Sequence, residues 1–324
     1  MQLAAPANYF PFKSGHYKVA AGLFPLDTDF GNGPRDAHIF QLDNLYADYR
    51  RQKNQAHDAT PEKHYCRATP DPHTSAQAAR LIIAQLCRQH PDKFSCQKQN
   101  SQWLLHCRPS GETLCFGPQY QLQTARETPS YADALDALAH QIQEDFAIVE
   151  FSPRGEDRIS LLHLSFPNHW SAQEKIGNTF QQAHRGVPGM ARINAHGGRL
   201  LETAMEKGPY VRFAWGLASD DRLNHHPDTP PGQEQKSWHG RCFSPQDPRL
   251  MLRVERQVLQ GIPQSPGLLF TIRTYLYDVA RIKADSGMSS ALRGALLSMS
   301  ADTLRYKGLD ESLAAILNWL DVSD

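Results

Sequence analysis

Three long segments of alternating polar and apolar residues in the second half of the chain constrain its fold most. They are YVRFAWGLA (210–218), LMLRVERQVL (250–259) and GLLFTIRTYLY (267–277). A period of two, with many β-branched and aromatic residues, is typical of β-strands. The segments are joined without the alternating crossover helices that parallel strands require. The pattern therefore predicts an α+β fold built on an antiparallel sheet.

The faces of these strands differ in size and polarity. Arg212 shares its face with Ala214, Gly216 and Ala218, and such small residues leave room for a flat or large ligand. Polar side chains on a strand must be solvated, paired with one another, or part of a polar site. A sheet face that is exposed to water and carries ordinary cross-strand pairs is therefore an alternative to a ligand site. On the strand 250–259, one face carries the polar residues Arg253, Glu255 and Gln257, and Arg256 lies on the opposite face. On the strand 267–277, the polar residues that share a face are Thr271, Arg273 and Tyr275.

The rest of the chain predicts short strands, helices and loops. Ser171 and Glu174 form a capping-box signature, which places His184 at or just past the end of a helix. We expect residues 1–130 to form an arm and helices packed on a core unit of residues 131–324. The predicted helices cover 38–53, 75–90, 131–146, 172–183, 190–206, 280–284, 289–299 and 309–320, the additional strands 102–109, 113–117, 147–151 and 159–166, and the long loops 54–74 and 222–248.

Charge and composition exclude several classes of protein. The 324 residues carry 34 Lys+Arg and 34 Asp+Glu, so no basic field for nucleic acid or an anionic membrane is expected. No apolar run reaches the ~18 residues of a membrane span, and the N-terminus lacks the features of a signal peptide. These observations predict a soluble, cytoplasmic protein. The six cysteines contain no CxxC pair, which predicts free thiols and no internal iron–sulfur site.

Common catalytic fingerprints are missing from the sequence. It contains no GxGxxG after a strand, no P-loop, no HExxH and no GxSxG. Among the histidines, His184 at a helix end is either a cap or a ligand, and His169 precedes the start of a helix. His225, His226 and His239 lie in a Pro/Gly-rich segment, where solvated loop histidines are favoured over a metal cluster.

A set of motifs in the second half resembles one known family. In order, the motifs are QEDF (143–146), FPNHW (166–170), EKIG (174–177), AH-GVPG (183–189), RFAW (212–215), LRVERQVL (252–259), IPQS (262–265), FTIRTYL (270–276) and YKGL (306–309). Together they resemble the haem-dependent oxidative N-demethylases. The resemblance extends weakly to PFK and GLFPLD in the first 30 residues.

The resemblance implies a fold, an activity and a set of cofactors. The implied fold is PAS-like, a curved antiparallel sheet with helices packed over it and additional N- and C-terminal helices. The implied activity uses haem b, O2 and external electrons to remove a methyl group from a small secondary amine such as dimethylamine, releasing formaldehyde. Electrons would come from a separate reductase component that carries FMN and a [2Fe–2S] centre and is fed by NADPH. Tetrahydrofolate is the implied formaldehyde acceptor.

The resemblance also assigns roles to individual residues. His184 would be the axial iron ligand, with His169 as the alternative. Arg212 would hold dioxygen or its reduced form, and Glu255 would engage the substrate ammonium and relay protons. The remaining implied site residues are Tyr275 as part of the site wall, and Arg273 and Arg256 as cofactor-binding cations.

Two other functions are compatible with the same residues. One is a PAS-type haem sensor or binding protein that does no chemistry. The other is a haem oxygenase of the same fold that acts on a different amine. Neither a nucleic acid nor a membrane is expected as a partner.

Overall fold

The computed structural model describes residues 3–123 and 130–321. Its strands form two antiparallel sheets, one of seven strands and one of three. In chain order the strands are β1 (Phe24–Pro25), β2 (Tyr65–Arg67), β3 (Phe94–Gln99), β4 (Gln102–Cys107), β5 (Glu112–Phe116), β6 (Asp145–Phe151), β7 (Asp157–His163), β8 (Tyr210–Ala218), β9 (Met251–Gly261) and β10 (Gly267–Asp278).

Helices surround the large sheet, and a 3-10 helix at Gly33–Ala37 precedes them. In chain order they are α1 (Tyr46–Ala59), α2 (Pro61–His64), α3 (Pro72–Gln89), α4 (Ala134–Ala139), α5 (Ala172–Lys175), α6 (Phe180–Ala183), α7 (Ala191–Asn194), α8 (Gly197–Lys207), α9 (Gln235–Trp238), α10 (Val279–Lys283), α11 (Ser286–Leu297), α12 (Ala301–Lys307) and α13 (Leu313–Asp321). Within the described ranges, none of these helices combines the length and apolarity that crossing a membrane requires.

The large sheet has the strand order β1-β8-β9-β10-β6-β7-β2. All of its neighbouring strands run antiparallel, and β9 and β10 pair along eleven consecutive positions. The expected α+β fold with an antiparallel sheet is therefore confirmed. The three strands predicted to dominate the second half lie side by side, so their alternating side chains form two continuous faces.

The two faces of the large sheet are covered by different parts of the chain. On one face, apolar residues of β6, β9 and β10 pack against α8 around Leu201 and Ala204. On the other face, α3 and α4 pack against one end of the sheet, and α10, α11 and α13 pack against the other end. The N-terminal arm also reaches this face, where the Tyr9 ring lies 4.9 Å from Phe213 and 5.6 Å from Tyr275.

Several predicted helices are shorter than expected, and the strands β1, β2 and β3 were not predicted. The helix predicted over 38–53 begins at Tyr46, because side chains bind the backbone before it: Gln41 N donates to Glu144 and Asp43 N to Gln143. The helix predicted over 131–146 ends at Ala139, whose carbonyl accepts from Lys53 Nζ at 3.1 Å.

The predicted helix 172–183 is divided into α5 and α6. The Ser171 capping box is confirmed, but Gly177 adopts a left-handed φ of 79° that interrupts the helix. A second capping box, Thr179 with Gln182, starts α6 and leaves His184 as the residue that follows it. The predicted helix 190–206 is likewise divided into α7 and α8.

Candidate functional site

A cavity of about 840 Å³ lies between the large sheet and the segments that cover it, and we call it the sheet cavity. Its volume falls in the range of roughly 300–1,000 Å³ that is usual for small-molecule and cofactor sites. Its floor is formed by β6 to β10, its roof by the segment from α5 to α8, and its rim by the arm and the end of α12. Lining residues used below are Tyr17, His169, Phe180, His184, Arg212, Ala214, Gly216, Arg241, Arg253, Glu255, Gln257, Phe270, Ile272, Tyr306 and Lys307.

The floor of the sheet cavity is open because β8 has small residues there. Ala214 lies opposite Glu255, and Gly216 lies opposite Arg253, in the register of β8 with β9. A Cβ atom added at Gly216 would meet nothing closer than Lys307 Nζ at 4.0 Å. The small-residue face predicted from the sequence therefore faces a real space.

His184 follows α6 and lines the sheet cavity. Its Nδ1 donates to the carbonyl of Phe180 at 2.8 Å, and the two rings lie 4.2 Å apart. Burial lowers the pKa of His184, which keeps the imidazole neutral near pH 7. A neutral ring that donates through Nδ1 has its lone pair on Nε2, which is the protonation pattern of a metal-ligating histidine.

Arg212 and Glu255 lie on neighbouring strands and both line the sheet cavity. Glu255 accepts from Gln257 Nε2 at 3.1 Å and lies 3.7 Å from Arg253 Nε. The buried Nε of Arg212 has no hydrogen-bond partner among the described residues. Burial lowers the pKa of Arg212, and the Glu255 carboxylate opposes that shift. The cavity thus contains a guanidinium and a carboxylate on neighbouring strands, and both can still form hydrogen bonds to a ligand.

Lys307 also lines the sheet cavity, although its role could not be inferred from the sequence. Its Nζ donates to the Trp215 carbonyl at 2.6 Å and lies 5.2 Å from the centre of the Tyr17 ring. Burial lowers the pKa of Lys307 to about 8, and the nearby Glu255 opposes the shift. The only signal in the sequence was its place in the YKGL motif, which gives no indication of where the side chain lies.

His169 also lines the sheet cavity. It has a left-handed φ of 66°, its ring is stacked on His225 at 5.4 Å, and its buried Nδ1 has no described partner. Burial and the nearby Arg241 lower the pKa of His169 to about 2. His169 therefore remains an alternative ligand, but among the described residues no carbonyl accepts from its Nδ1 as Phe180 accepts from His184.

Three residues expected at the site lie on the opposite face of the sheet. In the register of β9 with β10, Arg273 pairs with Arg256, whereas Glu255 pairs with Thr274. Strand alternation therefore directs Arg256, Arg273 and Tyr275 away from the sheet cavity. The sequence analysis placed the polar residues of β9 and β10 around one site, and the register separates them.

Each of the three is buried among partners from the N-terminal part of the chain. Arg256 donates to the carbonyls of Asp36 and His38 at 2.9 and 2.8 Å. Arg273 binds Asp43 at 2.7 Å, and Tyr275 donates to Gln41. These contacts hold the N-terminal part of the chain against the sheet.

The residues around the sheet cavity fit a haem. His184 offers a neutral ring nitrogen, and haem iron accepts such a ligand. The two propionate carboxylates of a haem require cations, and the cavity is lined by Arg212, Arg241 and Lys307, of which the first two have buried Nε atoms without a described partner. Small residues on β8 leave space for a planar ring.

A family model described as haem-dependent oxidative N-demethylase, alpha subunit-like, matches residues 33–317. The match includes the whole of the large sheet after β1, the roof of the sheet cavity and Lys307. It agrees with the cavity's histidine and with its cationic lining. The words "alpha subunit-like" further imply a complex with a partner subunit. The chain belongs to the haem-dependent oxidative N-demethylase alpha subunit-like family.

Proposed function

We propose that the chain removes a methyl group from a small secondary amine of the dimethylamine type and releases it as formaldehyde. One observation carries the proposal: a carboxylate, Glu255, lies beside a guanidinium, Arg212, in a cavity that also holds the metal-competent His184. A secondary amine is cationic near pH 7, so a buried site for it requires a negative partner that can also carry a proton.

The overall reaction balances with O2 as oxidant and an external two-electron donor. Dimethylamine, O2, two electrons and two protons give methylamine, formaldehyde and water. A C–H bond of one methyl group is oxidised, one oxygen atom ends in formaldehyde and the other in water. The chain must therefore bind an amine, admit protons and keep bulk water from the reacting carbon.

His184 is the residue we assign to the haem iron. Its ring is held by the Phe180 carbonyl, so the nitrogen directed at the iron is fixed in position. When bound, haem b supplies the O2-binding site and accepts the external electrons. The strands β8, β9, β10, β6 and β7 form a five-stranded antiparallel sheet. The segment from α5 to α8 connects β7 to β8 and packs over one face of it. This arrangement supports the PAS-like description of the fold.

Glu255 is the residue we assign to the substrate ammonium. Its carboxylate is fixed by Gln257 Nε2 and lies over the open floor left by Ala214. Holding the ammonium there would orient the methyl groups within the cavity, and accepting the ammonium proton would free the nitrogen lone pair. Burial lowers the pKa of Lys307 to about 8 and the Glu255 carboxylate opposes that shift, so this amine lies within electrostatic range of the proposed substrate site.

Arg212 is the residue we assign to stabilising negative charge that develops on oxygen. Its Nε has no hydrogen-bond partner among the described residues, so the guanidinium keeps donor capacity for a ligand. A charged donor in a cavity of low polarity acts more strongly than the same group in water. Apolar side chains of β10, including Phe270 and Ile272, limit water on the substrate side.

The electron donor is proposed to be a separate subunit. The chain has no CxxC pair for an iron–sulfur cluster and no nucleotide-binding motif. We therefore assign FMN, the [2Fe–2S] centre and NADPH to a reductase partner in the cytoplasm. Transfer of the formaldehyde carbon to tetrahydrofolate is part of the same proposal.

Turnover of a purified, haem-loaded chain tests the proposal. With a chemical or enzymatic reductant and dimethylamine, we expect O2 consumption and formaldehyde, trapped as a coloured adduct, in a one-to-one ratio. Glu255→Gln should lose most of this turnover, and Glu202→Gln, an exposed residue of α8, serves as the control. Haem binding without amine-dependent O2 consumption would favour a haem sensor, and turnover restricted to larger amines would change the substrate class.

A further inference from the structure

A second cluster of metal-ligating side chains lies on the opposite side of the sheet from the cavity. His57 comes from α1, and Asp136 and His140 come from α4. One potential ligand atom from each of the three lies within 4.8 Å of the other two. Asp136 and His140 are fully buried, and the His57 side chain is 11% exposed. None of them lines the sheet cavity.

The spacing within this cluster is wide for hydrogen bonds and suited to a shared ion. His57 Nε2 lies 3.4 Å from Asp136 Oδ2, and His140 Nε2 lies 3.6 Å from Asp136 Oδ1. Two ligands bound to a tetrahedral Zn²⁺ at about 2.0–2.1 Å lie about 3.3 Å apart. The two His–Asp distances are close to that ligand–ligand spacing.

The hydrogen bonding of His140 leaves its second ring nitrogen facing the carboxylate. Its Nδ1 lies 2.8 Å from Asn54 Oδ1 and donates to it. The buried Nε2 has no hydrogen-bond partner among the described residues. A cation between Nε2 and the Asp136 carboxylate would bind both groups.

The carboxylate is oriented by two groups that need not bind the ion themselves. The backbone N–H of Ala132 donates to Asp136 Oδ2 at 2.8 Å, and His163 Nε2 donates to Asp136 Oδ1 at 3.2 Å. Carboxylate ligands of protein metal sites are held by such outer partners. One oxygen, two imidazole nitrogens and a water molecule make the donor set that Zn²⁺ accepts among common divalent ions.

We propose that His57, Asp136 and His140 bind a Zn²⁺ ion whose role is structural. The ion would join α1 to α4, two segments 79 positions apart at His57 and Asp136, and α4 leads directly into the sheet through β6. An ion bound to both segments closes the intervening chain into a loop. The longer this loop is, the more such a crosslink lowers the conformational entropy of the unfolded chain. The site is independent of the haem and of the proposed reaction.

Metal analysis of the tag-free chain, dialysed against metal-free buffer, tests the proposal. We expect about one zinc per chain, measured by plasma mass spectrometry together with haem iron. His57→Gln, His140→Gln and Asp136→Asn should each lower zinc content at least about tenfold while iron per chain stays unchanged. His106→Gln, a histidine bonded to Gln97 and Thr113 in the small sheet, should keep its zinc.

A titration of the wild-type chain keeps the test independent of how the variants fold. After chelation, Zn²⁺ added to the haem-loaded chain should raise Tm by several degrees, and Mg²⁺ should not. Zinc-free wild-type protein whose Tm does not respond to Zn²⁺ would overturn the proposal. Full zinc content in His140→Gln and Asp136→Asn would also overturn it, because the ion would then lie elsewhere.

Discussion

Both faces of the large sheet carry buried arginines, but these arginines have different surroundings on the two faces. On the cavity face, Arg212 and Glu255 lie over small residues of β8, and the Arg212 Nε has no described partner. On the opposite face, Arg256, Arg273 and Tyr275 are buried by the arm and bonded to it. An arginine on a strand thus indicates a ligand site on one face and a tertiary contact on the other.

The difference lies in the hydrogen bonds that the other guanidinium nitrogens make, since the Nε atoms of Arg256 and Arg273 also lack a described partner. The Arg273 guanidinium binds Asp43 at 2.7 Å and stacks on the Tyr49 ring at 4.0 Å, so its counter-ion comes from the chain itself. A charged group buried without such partners is unfavourable unless a ligand supplies them. Substitutions on the two faces should therefore fail in different ways, and five experiments compare them.

The largest effect is expected at His184. His184→Ala should fold but lose most of its haem, by about tenfold or more relative to the wild type, because it removes the proposed axial ligand. The ratio of Soret absorbance to protein measures the loss. The matched variant His169→Ala, in the same cavity, should keep its haem. A wild-type ferric spectrum in His184→Ala together with haem loss in His169→Ala would reverse the two assignments.

Whereas His184→Ala removes the cofactor on which all turnover depends, Glu255→Gln should affect turnover alone. It keeps the shape of the side chain and removes its charge, so haem content and folding should be normal while amine turnover falls by ~10²–10⁴-fold. Turnover per haem, measured as formaldehyde formed, is the test. A stable, haem-loaded and fully active variant would show that the carboxylate does not act in the reaction.

On the opposite face, Asp43→Ala should reduce stability without a direct effect on chemistry. It leaves the buried Arg273 without its counter-ion, which costs about 3–5 kcal/mol of unfolding free energy. Urea unfolding measures the loss, and turnover per haem should remain at the wild-type level. Asp48→Ala, which removes an exposed partner of Arg51, should cost less than about 1 kcal/mol. Lost turnover in Asp43→Ala at unchanged stability would connect Arg273 to the cavity after all.

The cavity face should also titrate near pH 8. Burial lowers the pKa of Lys307 from 10.5 to about 8, so between these values the unfolded chain holds a proton that the folded chain has released. Stability should therefore rise with pH across that window, relative to Lys307→Met, which carries no such proton. Thermal unfolding at pH 7.5, 9 and 10 compares the two proteins. A constant difference between them would mean that Lys307 keeps its ordinary pKa in the folded state.

The smallest effect concerns how the arm and the core unit are joined. We expect limited proteolysis to cut first within 222–248, and not to release residues 1–130 as an independent domain. The segment 54–74, which the sequence predicted as a long loop, instead contains the end of α1, all of α2 and β2, and the start of α3. Early release of a stable N-terminal fragment would show that the arm is not packed on the sheet.

Strand periodicity predicted much of the fold correctly. The bounds of β8 match the predicted segment, and those of β9 and β10 agree with theirs to within two residues, because long alternating segments specify strands well. The bounds of the helices were less predictable. The segment 38–45 has helical spacing, but its backbone donors at Gln41 and Asp43 bind side chains 103 and 100 positions away, which no local pattern reveals.

The site was predictable only in part. Alternation placed Glu255 and Arg253 together, and the resemblance pointed to His184 and Arg212, all of which line the sheet cavity. Alternation within one strand does not reveal the register between strands, so Arg273 and Tyr275 were grouped with the wrong face. Lys307 could not be found from the sequence because its contribution depends on α12 reaching the end of β8.

The rim of the sheet cavity has a consequence for how the protein acquires its cofactor. It is formed by residues far apart in the sequence, Tyr17 in the arm and Lys307 in α12. During synthesis the arm emerges before α12, so the rim is incomplete until α12 has left the ribosome. We therefore expect haem to be retained only once α12 has been made, and nascent chains truncated before Tyr306 to release it readily.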